Sequence, residues 1–119
     1  MSGSSNSVGT YTEAAKSAIS DMLNAPVSVS GSTPSITAKS GVRYVCGECS
    51  TLTVVLPASG DVEVIFESGS TATVLTLTPP TGVTSVKFPA WFNSASLDAN
   101  CVYDMIITDG KYGVVTAWS

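Results

Sequence analysis

From about Val42 onward, apolar and polar residues alternate with a period of two. Leu52, Val54 and Leu56 alternate with Thr51 and Thr53, Val62, Val64 and Phe66 with Glu63 and Glu67, and Leu75 and Leu77 with Thr76 and Thr78. Such runs present one apolar face each, the mark of half-buried strands. Turn residues separate them at Ser59-Gly60-Asp61, Ser68-Gly69-Ser70, Pro79-Pro80-Thr81-Gly82 and Asp109-Gly110. The last lies between Tyr103 to Thr108 and Tyr112 to Trp118 and predicts a hairpin. Short strands without intervening helices predict a mainly β domain over residues 41–119, an antiparallel β-sandwich of jelly-roll or Ig-like type. They exclude a parallel α/β enzyme fold.

The period changes near the N-terminus. Thr10 and Glu13 form a capping box, and Tyr11, Ala15, Ala18, Ile19, Met22 and Leu23 recur on one helical face, with Asn24 and Pro26 as stop signals. This predicts one short amphipathic α-helix over about residues 11–23. A helix that short is marginal alone, so its stripe must be buried against its own β domain, sister subunits or a larger assembly. The stretch 27–41 reads as a linker or as one or two short edge strands, broken at Gly31 and Pro34. Residues 1–40 are thus an arm, helix and linker suited to assembly or anchoring.

Composition narrows the classes. At 119 residues the chain supports one compact domain with an appendage. Charged residues are only 12% of the chain, the net charge is -4, and the five cations stand singly at Lys16, Lys39, Arg43, Lys87 and Lys111. Phosphate neutralisation needs clustered cations, so neither nucleic acid nor an anionic membrane surface is expected as a partner. There is no run of about 20 apolar residues to span a bilayer. The first residues lack the basic leader and apolar core of a secretory signal.

Three groups could carry chemistry. Cys46 and Cys49 stand in C-x-x-C spacing, but with Cys101 and no histidine they fall short of a four-ligand zinc site. The residues after them are strand formers, unlike the helix start of a redox motif. On a regular strand the two thiols point to opposite faces about 10 Å apart, unless a bulge at Gly47 brings them together. Buried thiols acting as small apolar groups are the expectation, with no metal and no cofactor. Glu63 and Glu67, with Asp61, share a strand face expected to meet water, and without histidine no Ser-His-Asp mechanism exists in one chain, so no catalytic residue is assigned. Aromatics remain: Trp91 and Phe92, with Tyr103, Tyr112 and Trp118, could stack on a sugar or a flat protein surface, and Trp91, Phe92 and Tyr112 are the candidate contacts.

Four blocks, Gly47 to Val54, Val64 to Leu77, Val86 to Trp91 and Asn100 to Gly110, resemble in order the small β domains of tailed-bacteriophage and prophage virion structural proteins. The F-x-S-G-x-T-x-T-x-L core of those domains is matched by Phe66, Ser68, Gly69, Thr71, Thr73 and Leu75, and their N-x-x-Y-x-x-x-I strand by Asn100, Tyr103 and Ile107. The resemblance implies a non-enzymatic particle protein, of capsid-decoration or head-fibre type, or alternatively a tail-associated receptor- or carbohydrate-binding module. It implies other virion proteins as partners, a homo-oligomer with a trimer favoured, and a host-surface glycan as a further ligand. A chain made in the host cytoplasm and exposed on the virion surface would need no signal peptide.

Overall fold

A computed structural model describes residues 25–119 of the chain. The helix expected over 11–23, with its face of Tyr11, Ala15, Ala18, Ile19, Met22 and Leu23, lies outside the described residues. Within them the chain is mainly β, with eight strands: β1 Val27–Val29, β2 Ser35–Thr37, β3 Arg43–Glu48, β4 Thr51–Val55, β5 Asp61–Glu67, β6 Val74–Thr78, β7 Val102–Thr108 and β8 Tyr112–Trp118. β1 and β2 occupy the stretch read as linker or short edge strands, and each lies at the edge of a sheet.

The strands form a five-stranded sheet, ordered β1-β3-β5-β7-β8, and a three-stranded sheet, ordered β2-β4-β6. Up to β6 the chain alternates between the two sheets, and every strand from β3 on pairs in parallel with the strand two before it. Val27 lies beside Tyr44 and Tyr44 beside Val64 in the larger sheet; Leu52 lies beside Leu75 and Val54 beside Leu77 in the smaller. The result is a short parallel coil in which each turn stacks on the one before. Only β5, β7 and β8 pair antiparallel.

Two sheets around one core are present as expected, but the antiparallel jelly-roll or Ig-like pairing is corrected. Period-two alternation reports that one face of a strand is buried, and says nothing about which strand lies beside it or in which direction. The turns at Ser59-Gly60-Asp61 and Ser68-Gly69-Ser70 separate the strand runs as expected, and each carries the chain from one sheet to the other. The Asp109-Gly110 hairpin is found where expected. Lys111 N–H donates to Thr108 O at 2.9 Å, and Asp109 and Gly110 have φ of 55° and 62°, the left-handed pair that a tight hairpin turn requires. A Cβ on Gly110 would run into the Pro80 ring, so this glycine serves both backbone and packing.

The inward residues of both sheets make one core. Leu52 and Val54 from the smaller sheet meet Val62, Val64, Phe66, Tyr103, Met105 and Ile107 from the larger, all almost without solvent contact. Tyr103 stacks on Phe66 with centroids 5.3 Å apart. Between β6 and β7 a long connection crosses the coil and is fastened at several points. Lys87 bridges to Tyr112, Phe88 packs on Gly113, and Phe92 meets Phe88 and Tyr103 edge-to-face at 4.8 and 5.9 Å. Further along, Ser68, buried just past the end of β5, donates through Oγ to Asp98 O at 2.6 Å and accepts from Cys101 N–H at 3.1 Å. These fastenings hold the connection against the last two strands and leave a groove between them.

Candidate binding groove

Fixing the connection from Pro89 to Cys101 against the end of the β7–β8 hairpin leaves a groove of about 230 Å³. Two indoles border it: Trp91 from the connection, 61% exposed, and Trp118 from the end of β8, 49% exposed. Phe92 and Tyr103 form its floor. Phe92, expected as a contact aromatic, is only 8% exposed and belongs to the core, holding Trp91 edge-to-face at 5.7 Å. Its neighbour in sequence thus reaches solvent because Phe92 itself is anchored.

Tyr112 is 59% exposed but stands elsewhere. Tyr112 pairs with Thr108 and Trp118 with Val102, so the two aromatics sit at opposite ends of the hairpin. Trp118, named among the aromatics without being singled out, is the groove's second indole. Its even-numbered place on β8, in step with exposed Tyr112 and Val114, was the available signal; its proximity to Trp91 depends on tertiary packing.

The groove carries polar groups along with its rings. Asn93 Oδ1 accepts from Ala95 N–H at 3.0 Å, which leaves the amide N–H₂ as a donor. Asp98 is tied through its backbone: its N–H donates to Tyr103 OH at 2.8 Å and its carbonyl accepts from Ser68. Ser96 completes the rim. Among the described residues no Lys or Arg lines this groove.

The cysteines are brought together on the core side. The register between β3 and β5 shifts between Val45 and Glu48, a bulge at Gly47, and so both Cys46 and Cys49 are buried instead of facing opposite ways. Both are free thiols. Burial, followed by the nearness of Cys49, pushes the Cys46 thiol up to about 11; burial likewise raises Cys49, against a lowering by its contact with Thr73. Raised thiols are poor nucleophiles and poor metal ligands. Among the described residues no three His, Cys, Asp or Glu side chains gather as metal ligands. Cys101, expected on the core face, is half-buried and lines the groove, its Sγ donating to Ala99 O at 3.4 Å.

The acidic residues differ from expectation at one position. Glu67 is exposed, but Glu63 is half-buried on the outer face of the larger sheet, its Oε1 accepting from Arg43 Nε at 2.7 Å. Asp104 lies beside it on β7, with Oδ1 buried and unpartnered. Burial, then the hydrogen bond and charge of Glu63, push the Asp104 carboxyl up to about 6. Burial acts upward on Glu63 too, but the hydrogen bonds from Asp104 and Arg43 and the Arg43 charge outweigh it and hold Glu63 low.

Trp91, Trp118, Asn93 and Asp98 thus line one concave site that combines aromatic and polar side chains. Compared with known protein families, curated proteins and solved structures, the chain finds no match in any of the three.

Proposed function

We propose that this chain is a non-enzymatic structural module of a bacteriophage particle, of capsid-decoration or head-fibre type, made in the host cytoplasm and exposed on the virion surface. The observation that carries this reading is the one-ended architecture of the coil. At one end the antiparallel β7–β8 hairpin and the long connection before it stop the stacking of parallel strands. At the other end β1 and β2 are the outer strands of their sheets, and Val27 is 44% exposed. Among the described residues only the β1 and β2 end lacks such a closing hairpin, which suits a terminal knob that attaches through that end. Residues 1–26, with the amphipathic pattern of Tyr11 to Leu23, lead into β1 and supply the attachment to sister subunits or to other virion proteins.

The test compares the full chain with one lacking residues 1–26. Light scattering should find a homo-oligomer, a trimer being favoured, that dissociates to a monomer on truncation, and only the full chain should be incorporated into particles. A full chain that is monomeric and absent from particles would overturn the proposal.

A second reading, a tail-associated receptor- or carbohydrate-binding adhesion module, is favoured by a separate observation: two exposed tryptophans border one groove with polar groups at its rim. The two readings are compatible, since the groove lies at the hairpin end of the body and the proposed attachment at the other.

A further inference from the structure

We infer that the groove between Trp91 and Trp118 binds a neutral sugar ring and discriminates against anionic glycans; this rests on the adhesion reading and adds the ligand class. Two half-exposed indoles lining one depression gather apolar surface in a concave place where a ligand can cover both. The flat, weakly polar C–H face of a pyranose fits this chemistry. It buries against an indole face, while the hydroxyls around its rim meet hydrogen-bonding groups at the edges of the site.

The rim supplies these groups. Asn93 offers its amide N–H₂ to a sugar oxygen, because its Oδ1 is already engaged by Ala95. The Asp98 carboxylate accepts from sugar hydroxyls, since its backbone, not its side chain, carries the contacts to Ser68 and Tyr103. The Asn93 amide and the Asp98 backbone are held by those contacts before any ligand arrives, which lowers the ordering cost of binding.

Charge decides between ligand classes. A sialylated or sulfated glycan would bring its anion to a groove lined by Asp98 and, among the described residues, by no Lys or Arg, on a chain of net charge -4. Like charge at this range opposes binding, and nothing at the rim repays the desolvation of a carboxylate or sulfate. Neutral hexoses and N-acetylhexosamines meet no such penalty. The same charge pattern disfavours a nucleotide or a phosphate as occupant.

The experiment titrates the full chain with chitotriose and lactose as neutral probes and with sialyllactose and a heparin tetrasaccharide as anionic ones. Intrinsic tryptophan fluorescence and chemical-shift changes at the two indoles are read together. A neutral probe should perturb both indole signals, and Trp91→Ala or Trp118→Ala should weaken it by roughly tenfold or more, while Tyr112→Ala leaves it unchanged. Asp98→Asn should weaken the neutral probe and narrow the gap to sialyllactose. No response to either neutral probe, anionic probes bound as well as neutral ones, or equal loss on Tyr112→Ala would overturn the inference. Particle incorporation separates it from the structural proposal: a parent chain that enters particles but ignores both neutral sugars sinks only the sugar site, and one that binds a neutral sugar but never enters particles sinks only the virion role.

Discussion

Asp104→Asn should stabilise this protein at neutral pH. Asp104 pairs with Ile65 on β5 and Thr116 on β8, and its carboxyl lies against Glu63, which Arg43 holds ionised. Its pKa is raised from 3.8 to about 6, so the folded chain grips this proton more tightly than the unfolded one. Stability from the protonated carboxyl is complete below pH 3.8 and is lost as pH rises through 6. Glu63, held low, acts the other way: its contribution is present above its unfolded value of 4.5 and fades as pH falls further. The cluster is therefore best satisfied between roughly pH 4.5 and 6, with one proton shared by two carboxyls. The bare shift corresponds to about 3 kcal/mol, and water on the outer face of the sheet reduces it to roughly 1–2 kcal/mol. An asparagine keeps the donor toward Glu63 at every pH and removes the second negative charge. Thermal unfolding followed by tryptophan fluorescence should place the variant about 4–8 °C above the parent at pH 7. The gap should narrow as pH falls below 6 and close only near pH 3.8, where the carboxyl is protonated in the unfolded chain as well. A variant no more stable than the parent at pH 7, or a gap that does not change with pH, would mean that the two carboxyls do not share a proton in the folded chain.

The core and the turns give three further tests. Leu52→Ala, at a site with no solvent exposure, should cost roughly 2–5 kcal/mol in denaturant unfolding, and more than Cys49→Ser, whose hydroxyl can keep the contact that Cys49 Sγ makes with Glu67 O at 3.8 Å. Equal or reversed losses would mean that the thiol does more than pack. Cys46, with its thiol near 11, should resist maleimide at pH 8 until denaturant is added, whereas half-buried Cys101 should label first; mass spectrometry of the labelled peptides reads the order, and early labelling of Cys46 would contradict its burial. Gly110→Ala places a side chain at positive φ against Pro80 and should cost roughly 1–3 kcal/mol, while Gly47→Ala, whose Cβ would meet nothing, should be close to neutral; similar melting temperatures for the two would show that the hairpin tolerates a side chain there.

The alternation around Leu52, Val62 and Tyr103 was enough to locate β4, β5 and β7 and their buried faces, because burying one face of a strand writes itself into every second residue. The Asp109-Gly110 hairpin was equally legible, since left-handed backbone needs particular residues in particular places. Pairing direction was not written there. A parallel neighbour and an antiparallel one demand the same apolar face from Leu52, and only the stacking of whole turns sets Leu75 beside it. The bulge at Gly47 likewise broke the strand parity that would have sent Cys46 and Cys49 to opposite faces. Trp91 could be singled out from its place in a break between strands, but the partner that makes it half of a groove is Trp118. Those two tryptophans line one groove because Phe92 anchors the connection in the core and β8 returns alongside β7, a coincidence in space between residues far apart in the chain. Local preference therefore sufficed to say which segments are strands and which of their faces are buried. Which strands are neighbours, and which exposed side chains share a site, was settled by contacts between segments, to which the preferences within any one segment are blind.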